Sequence, residues 1–343
     1  MNQQAGASRT GAGGDVLAVD LEARRRRAAL ADKLTRRLPT AACLVLAAAY
    51  TAAALARGIS LSIGYEVIIA NAVLTALVAT GATFIFTSGS FDLSLGANML
   101  VSALTGGLLG RATGSAWALA AGCLCTAVLL SVLNSLLASF FNLPVFIMTI
   151  VMMNVYAAAA TLIITSFGVN SAVVIPASLT AGLNRTWFFL LLIGVFEAFC
   201  CVLFYLCPIG RRQRFLGGSR RVAYLSGIRP KRLTVASFAL AGIGIGLAAL
   251  VLTVQTPTLS SSSGSSVGMN MLIALVFGGM NMNGGPRSRM YAALLGAFSM
   301  SFLDALMNIW VTGSWYLQIV KGILFVSVVF LFSLSGRGRL LER

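Results

Sequence analysis

Residues 66–110 read EVIIANAVLTALVATGATFIFTSGSFDLSLGANMLVSALTGGLLG, and this stretch decides the fold class. Its two apolar arms, 66–87 and 93–110, each approach the about 20 residues that cross about 30 Å of hydrocarbon as a helix. Between them Ser88-Gly89-Ser90-Phe91-Asp92 places hydroxyls, a glycine and an acid. Two crossing-length arms joined by a few polar residues make a membrane hairpin.

The same pattern runs outward through the chain. Apolar runs separated by charge or turn clusters predict ten spans, at 39–57, 66–87, 93–110, 115–138, 144–166, 186–207, 233–255, 268–281, 290–312 and 315–335. The eighth is too short to cross alone unless it borrows flanking Ser and Gly residues or is broken by its own glycines. Of the 343 residues 58% are apolar and 10% charged, whereas a soluble domain carries about 25% charged residues. The chain has 25 basic against 9 acidic residues, but a nucleic-acid reader needs a polar, soluble surface, so that class is excluded. With no histidine, His-based acid–base catalysis and His-ligated zinc are excluded too.

Charge placement orients the spans. With ten alternating spans and both termini cytoplasmic, the inner segments hold 21 of the 25 basic residues. Arg57, Arg111 and Arg185 remain outside, and Lys321 lies within a span. Trp117, Trp187, Trp310 and Trp315 then sit at outer span ends, where amphipathic rings anchor. The expected fold is an all-α membrane protein: a basic, disordered cytoplasmic tail over 1–38, a transmembrane domain over 39–335, and a short cytoplasmic tail over 336–343. A cleaved signal peptide fits poorly, because its charged region would be too long and nine spans follow. The arginines of the tail are suited to anionic membrane lipid.

Polar and glycine-rich breaks carry the functional signal, because unwound backbone at membrane depth must line a cavity or be buried in protein. In the first break, Asp92 is expected to cap the following helix. The second is Gly278-Gly279-Met280-Asn281-Met282-Asn283-Gly284-Gly285, and either break could sit at the inner end of its span or deeper. The loop 208–232 carries eight basic residues and no acid; within it Arg220 to Ser226 could form a short helix stopped by Gly227. Such a loop suits docking of another protein as well as contact with lipid. Asp304 and Lys321 fall at matching depths on consecutive spans and are expected to pair. Glu197 has no evident partner. Gly242-x-x-x-Gly246 reads as a close helix contact. The six cysteines lack metal-site spacing and read as small apolar residues, so no metal site is expected.

Several of these residues occur together, in order, in a known family. Asp92-Leu93-Ser94-Leu95-Gly96 following Gly89, Asn142-Leu143-Pro144-x-Phe146-x-x-Thr149, the loop from Gly210-Arg211 to Ser226-Gly227-Ile228, and the pairs Gly278-Gly279 and Gly284-Gly285 resemble the permease subunits of ribose-type bacterial ATP-binding cassette (ABC) importers. The resemblance covers about 66–335. It implies a plasma-membrane importer of two permeases, identical or paralogous, two ABC ATPase subunits and an extracytoplasmic solute-binding protein, with a cytoplasmic coupling helix at about 218–228. The chain departs from the family where an Asn-Gly is common, having Asp304-Ala305, and where acids are common at the start of span eight, having Gly268 and Asn270.

No Gly-x-x-x-x-Gly-Lys-Ser/Thr phosphate loop is present, so ATP and Mg would be held by a partner and the chain is no enzyme by itself. The expected path residues are Ser88, Asp92, Ser94, Asn281, Asn283 and Asp304. Those expected to couple to the ATPase are Arg220, Arg221, Ala223, Tyr224, Ser226 and Gly227. The solute would be small and polar, a monosaccharide or a related compound. The competing reading is an ion- or proton-coupled secondary transporter working through Asp304, Lys321, Glu197 or Asp92.

Overall fold

The computed structural model describes residues 38–264, 266–280, 284–286, 288–310, 316, 319–323 and 326–327. Almost all of this is helix. Seven helices are long and apolar enough to cross a membrane: α1 (Leu38–Ala56), α2 (Leu61–Thr87), α4 (Ala116–Phe140), α5 (Val145–Phe167), α7 (Thr186–Cys201, extended by a π-helical turn, Val202–Leu206), α10 (Pro230–Gln255) and α12 (Tyr291–Trp310). Two further expected spans are helices of another kind. α3 (Leu95–Thr113) is long but rich in Gly, Ser and Thr, and α11 (Val267–Phe277) has only 11 residues. The tails, Asn281, Asn283, Trp315 and most of the tenth expected span lie outside the described residues.

Burial separates the centre from the rim. The apolar windows of α2 and α10 are 83% and 67% buried, against 22–28% for α1, α4 and α7, so α2 and α10 form the central pair. Small residues let them approach: a Cβ on Gly81 would lie 3.0 Å from the Ala241 backbone. On the other side of α10, a Cβ at either Gly242 or Gly246 would come within 2.7 Å of an α4 Cα atom, which makes this pair a backbone-to-backbone seam. α3 fills the space between α4, α5 and α10, and α11 and α12 pack along α2.

The connections sort to two ends. At one end Gln255 Nε2 donates to Ala70 O (2.9 Å), and the Arg57 guanidinium lies 5.0 Å over the Trp310 ring. Two short strands, β1 (Ala172–Val174) and β2 (Thr258–Ser260), pair antiparallel in register Ala172 with Ser260, burying Val173 and Leu259. A four-residue helix, α6 (Ala177–Thr180), follows β1. At the opposite end stand α8 (Pro208–Gly218), α9 (Arg220–Leu225) and the α2–α3 break. Proline opens both α8 and α10 at the first turn, where its missing N–H costs nothing.

Candidate functional site

α9 is a helix of 6 residues, Arg220–Leu225, inside the expected 218–228 segment. The Ser219 hydroxyl accepts the Val222 N–H at its start (3.4 Å). At its end Gly227 takes φ +78°, its N–H donates to Tyr224 O (3.0 Å), and the Ile228 N–H reaches back to Ala223 O (3.1 Å). Those two bonds form a Schellman turn, whose left-handed residue is glycine because a Cβ would be strained there. Ile228 and buried Ala223 join Leu216 and Leu233 in a small apolar cluster that fixes one side of α9. The opposite side is bare: Tyr224 is 71% and Leu225 78% exposed, with Arg221 and Val222 exposed beside them.

The helix is tied to the α2–α3 break. Arg220 donates to Ser90 Oγ (3.0 Å). Just before it, α8 meets the break with no side chain between: Gly217 lies against Thr87 O and Gly285, and the Gly285 N–H donates to Thr87 O (3.0 Å). Gly284, at φ +67°, packs on the same turn at Phe86, Thr87 and Gly89. Three segments distant in sequence thus share one backbone seam. Arg214 braces it from α8, its guanidinium 5.0 Å over Phe204, which stacks edge-on against Phe84 of α2.

Inside the break a chain of hydrogen bonds runs one way. Tyr156 OH donates to Asn134 Oδ1 (2.6 Å), Asn134 Nδ2 to Ser94 Oγ (2.7 Å), and Ser94 Oγ and N–H both to Asp92 Oδ1 (2.7 Å each). The chain links α5, α4 and the break. Asp92 therefore does not cap α3 itself: the cap position is Ser94, and the carboxylate closes a turn two residues earlier. Next to it Asn98 donates to Ser131 Oγ (2.9 Å), and the Leu93 N–H points to Thr149 Oγ1 (3.4 Å).

Of the residues expected along the path, Ser88, Asp92 and Ser94 are at most 1% exposed and turned into the protein. A cavity of about 570 Å³ lies instead between α3, α5 and α11, walled from the same break by Leu93 and Gly96 and from α5 by Asn154 and Thr161. Asp304 stands elsewhere: Lys321 Nζ lies 2.9 Å from both of its carboxylate oxygens and donates to Asn270 Oδ1 on α11 (2.9 Å). Glu197 accepts a hydrogen bond from Thr80 on α2 (2.7 Å). Asn134, Tyr156 and Asn154 escaped the sequence reading because they stand inside long apolar runs, although a polar residue at that depth is itself a signal.

Comparison with known proteins identifies the family. The family model described as branched-chain amino acid transport system / permease component matches residues 64–329. The ribose import permease protein RbsC of Bacillus subtilis is 30% identical over 277 residues, covering 75% of this chain and 81% of that protein. The ribose import permease protein RbsC of Escherichia coli K12 is 23% identical over 266 residues, covering 75% and 81%. The autoinducer 2 import system permease protein LsrC of Yersinia pestis (strain Pestoides F) is 22% identical over 272 residues, covering 77% and 76%. No solved structure matches the chain. With its crossing-length helices and a match over most of its length, the chain belongs to the branched-chain amino acid transport system / permease component family of multi-pass membrane permeases.

Proposed function

We propose that this chain is the membrane-spanning subunit of an ABC importer in the bacterial plasma membrane, carrying a monosaccharide-type solute. It would cross ten times, with 39–335 as the transmembrane domain and both tails cytoplasmic. ATP and Mg would be held by a partner ATPase, a solute-binding protein would deliver cargo outside, and a second permease, identical or paralogous, would complete the path. The names of the ribose and autoinducer 2 import relatives support the solute class over the amino acids in the family description. The gathering of 88–94, the α4–α5 turn and the basic loop at one end supports the orientation. Lys231 of that loop donates to Ser139 O (3.1 Å) and Asn142 Oδ1 (2.9 Å) of the α4–α5 turn.

The observation that carries the proposal is α9: bare and apolar on one side, pinned to the α2–α3 break on the other. An ATPase seated on Tyr224 and Leu225 pushes a short rigid helix, and Arg220 and Gly217 pass the displacement to the break. The spans then rock to expose the solute to alternate sides. In vesicles holding the permease, its ATPase and its binding protein, Tyr224→Ala with Leu225→Ser should cut ATP-driven uptake at least tenfold, while the permease stays inserted. Uptake that persists without any nucleotide-hydrolysing subunit rejects the proposal.

A further inference from the structure

The chain between α10 and α11 goes deep. α10 ends at Gln255, whose side chain reaches Ala70 O in the first half of α2. Gly242, thirteen residues earlier, packs on Val128 and Ser131 of α4, and Asn98 donates to Ala127 O (3.3 Å) and Ser131 Oγ on those same turns. At about 1.5 Å per residue, Asn98 lies about 20 Å below the end of α10. α11 starts near that level, since a Cβ on Gly96 would sit 3.1 Å from Gly268 N and 3.3 Å from Gly264 O. From β2 the chain turns into the bundle through two hydrogen-bonded turns, Ser263 N–H to Ser260 O (2.9 Å) and Val267 N–H to Gly264 O (3.0 Å), with Gly264 packed between Met99 and Leu252. α11 runs only the remaining way, to the seam of α8 and the break.

Non-helical backbone within the membrane is stable only where it is buried in protein or lines a cavity. Here it lines one. Ser261 and Ser263 from the descent, with Asn154 and Thr161 from α5, supply the side-chain polar groups of the 570 Å³ cavity. Its remaining wall is apolar or glycine, including Leu93, Met269 and Leu272, and among the described residues no Asp, Glu, Lys or Arg lines it. Asn154 is exposed near the middle of α5 and uses one N–H on Ile150 O (3.0 Å), leaving its carbonyl oxygen and second N–H available.

We propose that this cavity is the solute-binding site of the permease and that it takes an uncharged solute bearing several hydroxyl groups, read by Asn154, Ser261 and Ser263. Amide and hydroxyl groups both donate and accept, as sugar hydroxyls do, and the Leu and Met surface receives the C–H face of a ring. A zwitterion would bring an ammonium and a carboxylate into a wall without counter-charges, where unpaired charge is strongly penalised. This site rests on the importer reading and fixes where within it the solute sits.

Ser261→Cys in the reconstituted full-length importer makes the test, with maleimide adducts located by mass spectrometry so that the six native cysteines do not interfere. D-ribose, D-galactose and L-leucine are the probes. Either sugar should slow labelling at 261 at least fivefold, L-leucine should not, and Asn154→Leu should abolish the protection while Asn154→Gln keeps part of it. Ser263→Cys serves as a second reporter. Protection by L-leucine alone, or by none of the three at both reporters, overturns the assignment. ATP-driven uptake by the same vesicles is read separately: its absence in the parent protein counts against the importer reading and not against the site.

Discussion

Two carboxylates of the helix bundle, buried Asp92 and half-buried Asp304, do different work, and substitutions separate them. Asp92 serves the turn into α3 through Oδ1 alone, and its Oδ2 is buried without a hydrogen-bond partner among the described residues. Asp92→Asn keeps the accepting oxygen, so uptake should stay within about threefold of the parent protein. Asp92→Ala strands the Ser94 N–H and should cost about 1–3 kcal/mol in unfolding free energy. If the asparagine variant is as damaged as the alanine one, the negative charge itself matters. Asp304 does need its charge. It meets Lys321 with both oxygens, and Asn270 fills out the lysine's donors. Asp304→Asn leaves the buried Lys321 ammonium without its counter-charge, a loss of about 3–5 kcal/mol, and the effects of Asp304→Asn and Lys321→Ala should not add in the double variant. Additive losses in detergent unfolding would dissolve the pair.

At the scale of elements, the decisive contacts are the ones without side chains. Gly217→Val would drive a branched side chain into Thr87 O and the Gly285 backbone, and α8 would have to lift from the break. About 1–3 kcal/mol of overpacking cost is expected, together with loss of ATP-coupled uptake while basal ATP hydrolysis continues. Hydrolysis and uptake falling in strict proportion would show that the seam is mere filler. The reading of Arg220 to Gly227 from sequence was possible because the glycine stop of a helix is local, whereas the Ser219 cap in front of it went unread. The seam was not legible, because it joins residues 87, 217 and 285, and sequence spacing holds no information on which backbones touch. Asp92 shows the same limit on a smaller scale. An acid ahead of an apolar run reads as a cap, yet two residues of turn separate it from α3, and Ser94 stands in the capping place. The serine-rich run after α10 hinted at an incomplete eighth crossing, but its direction into the bundle is set by packing of Gly96 on Gly268.

For the molecule as a whole, α2 and α10 form the central post, and the other elements are arranged around it. α11 packs along α2, and its shortness has a consequence for permeability. Where a full crossing interposes about 30 Å of hydrocarbon, the 11 residues of α11 supply about 16 Å, and turns rather than helix precede it. An idle pump with so thin a partition is one loose joint away from being a hole. The joint here is the fit of Gly278 and Gly296 against the backbones of Ala292 and Ala274. Gly296→Ala should therefore let erythritol seep through vesicles in the absence of ATP, seen as faster swelling under an osmotic gradient. Economy of length at this one helix makes tightness, rather than speed, the property that the close fit of Gly278 and Gly296 serves.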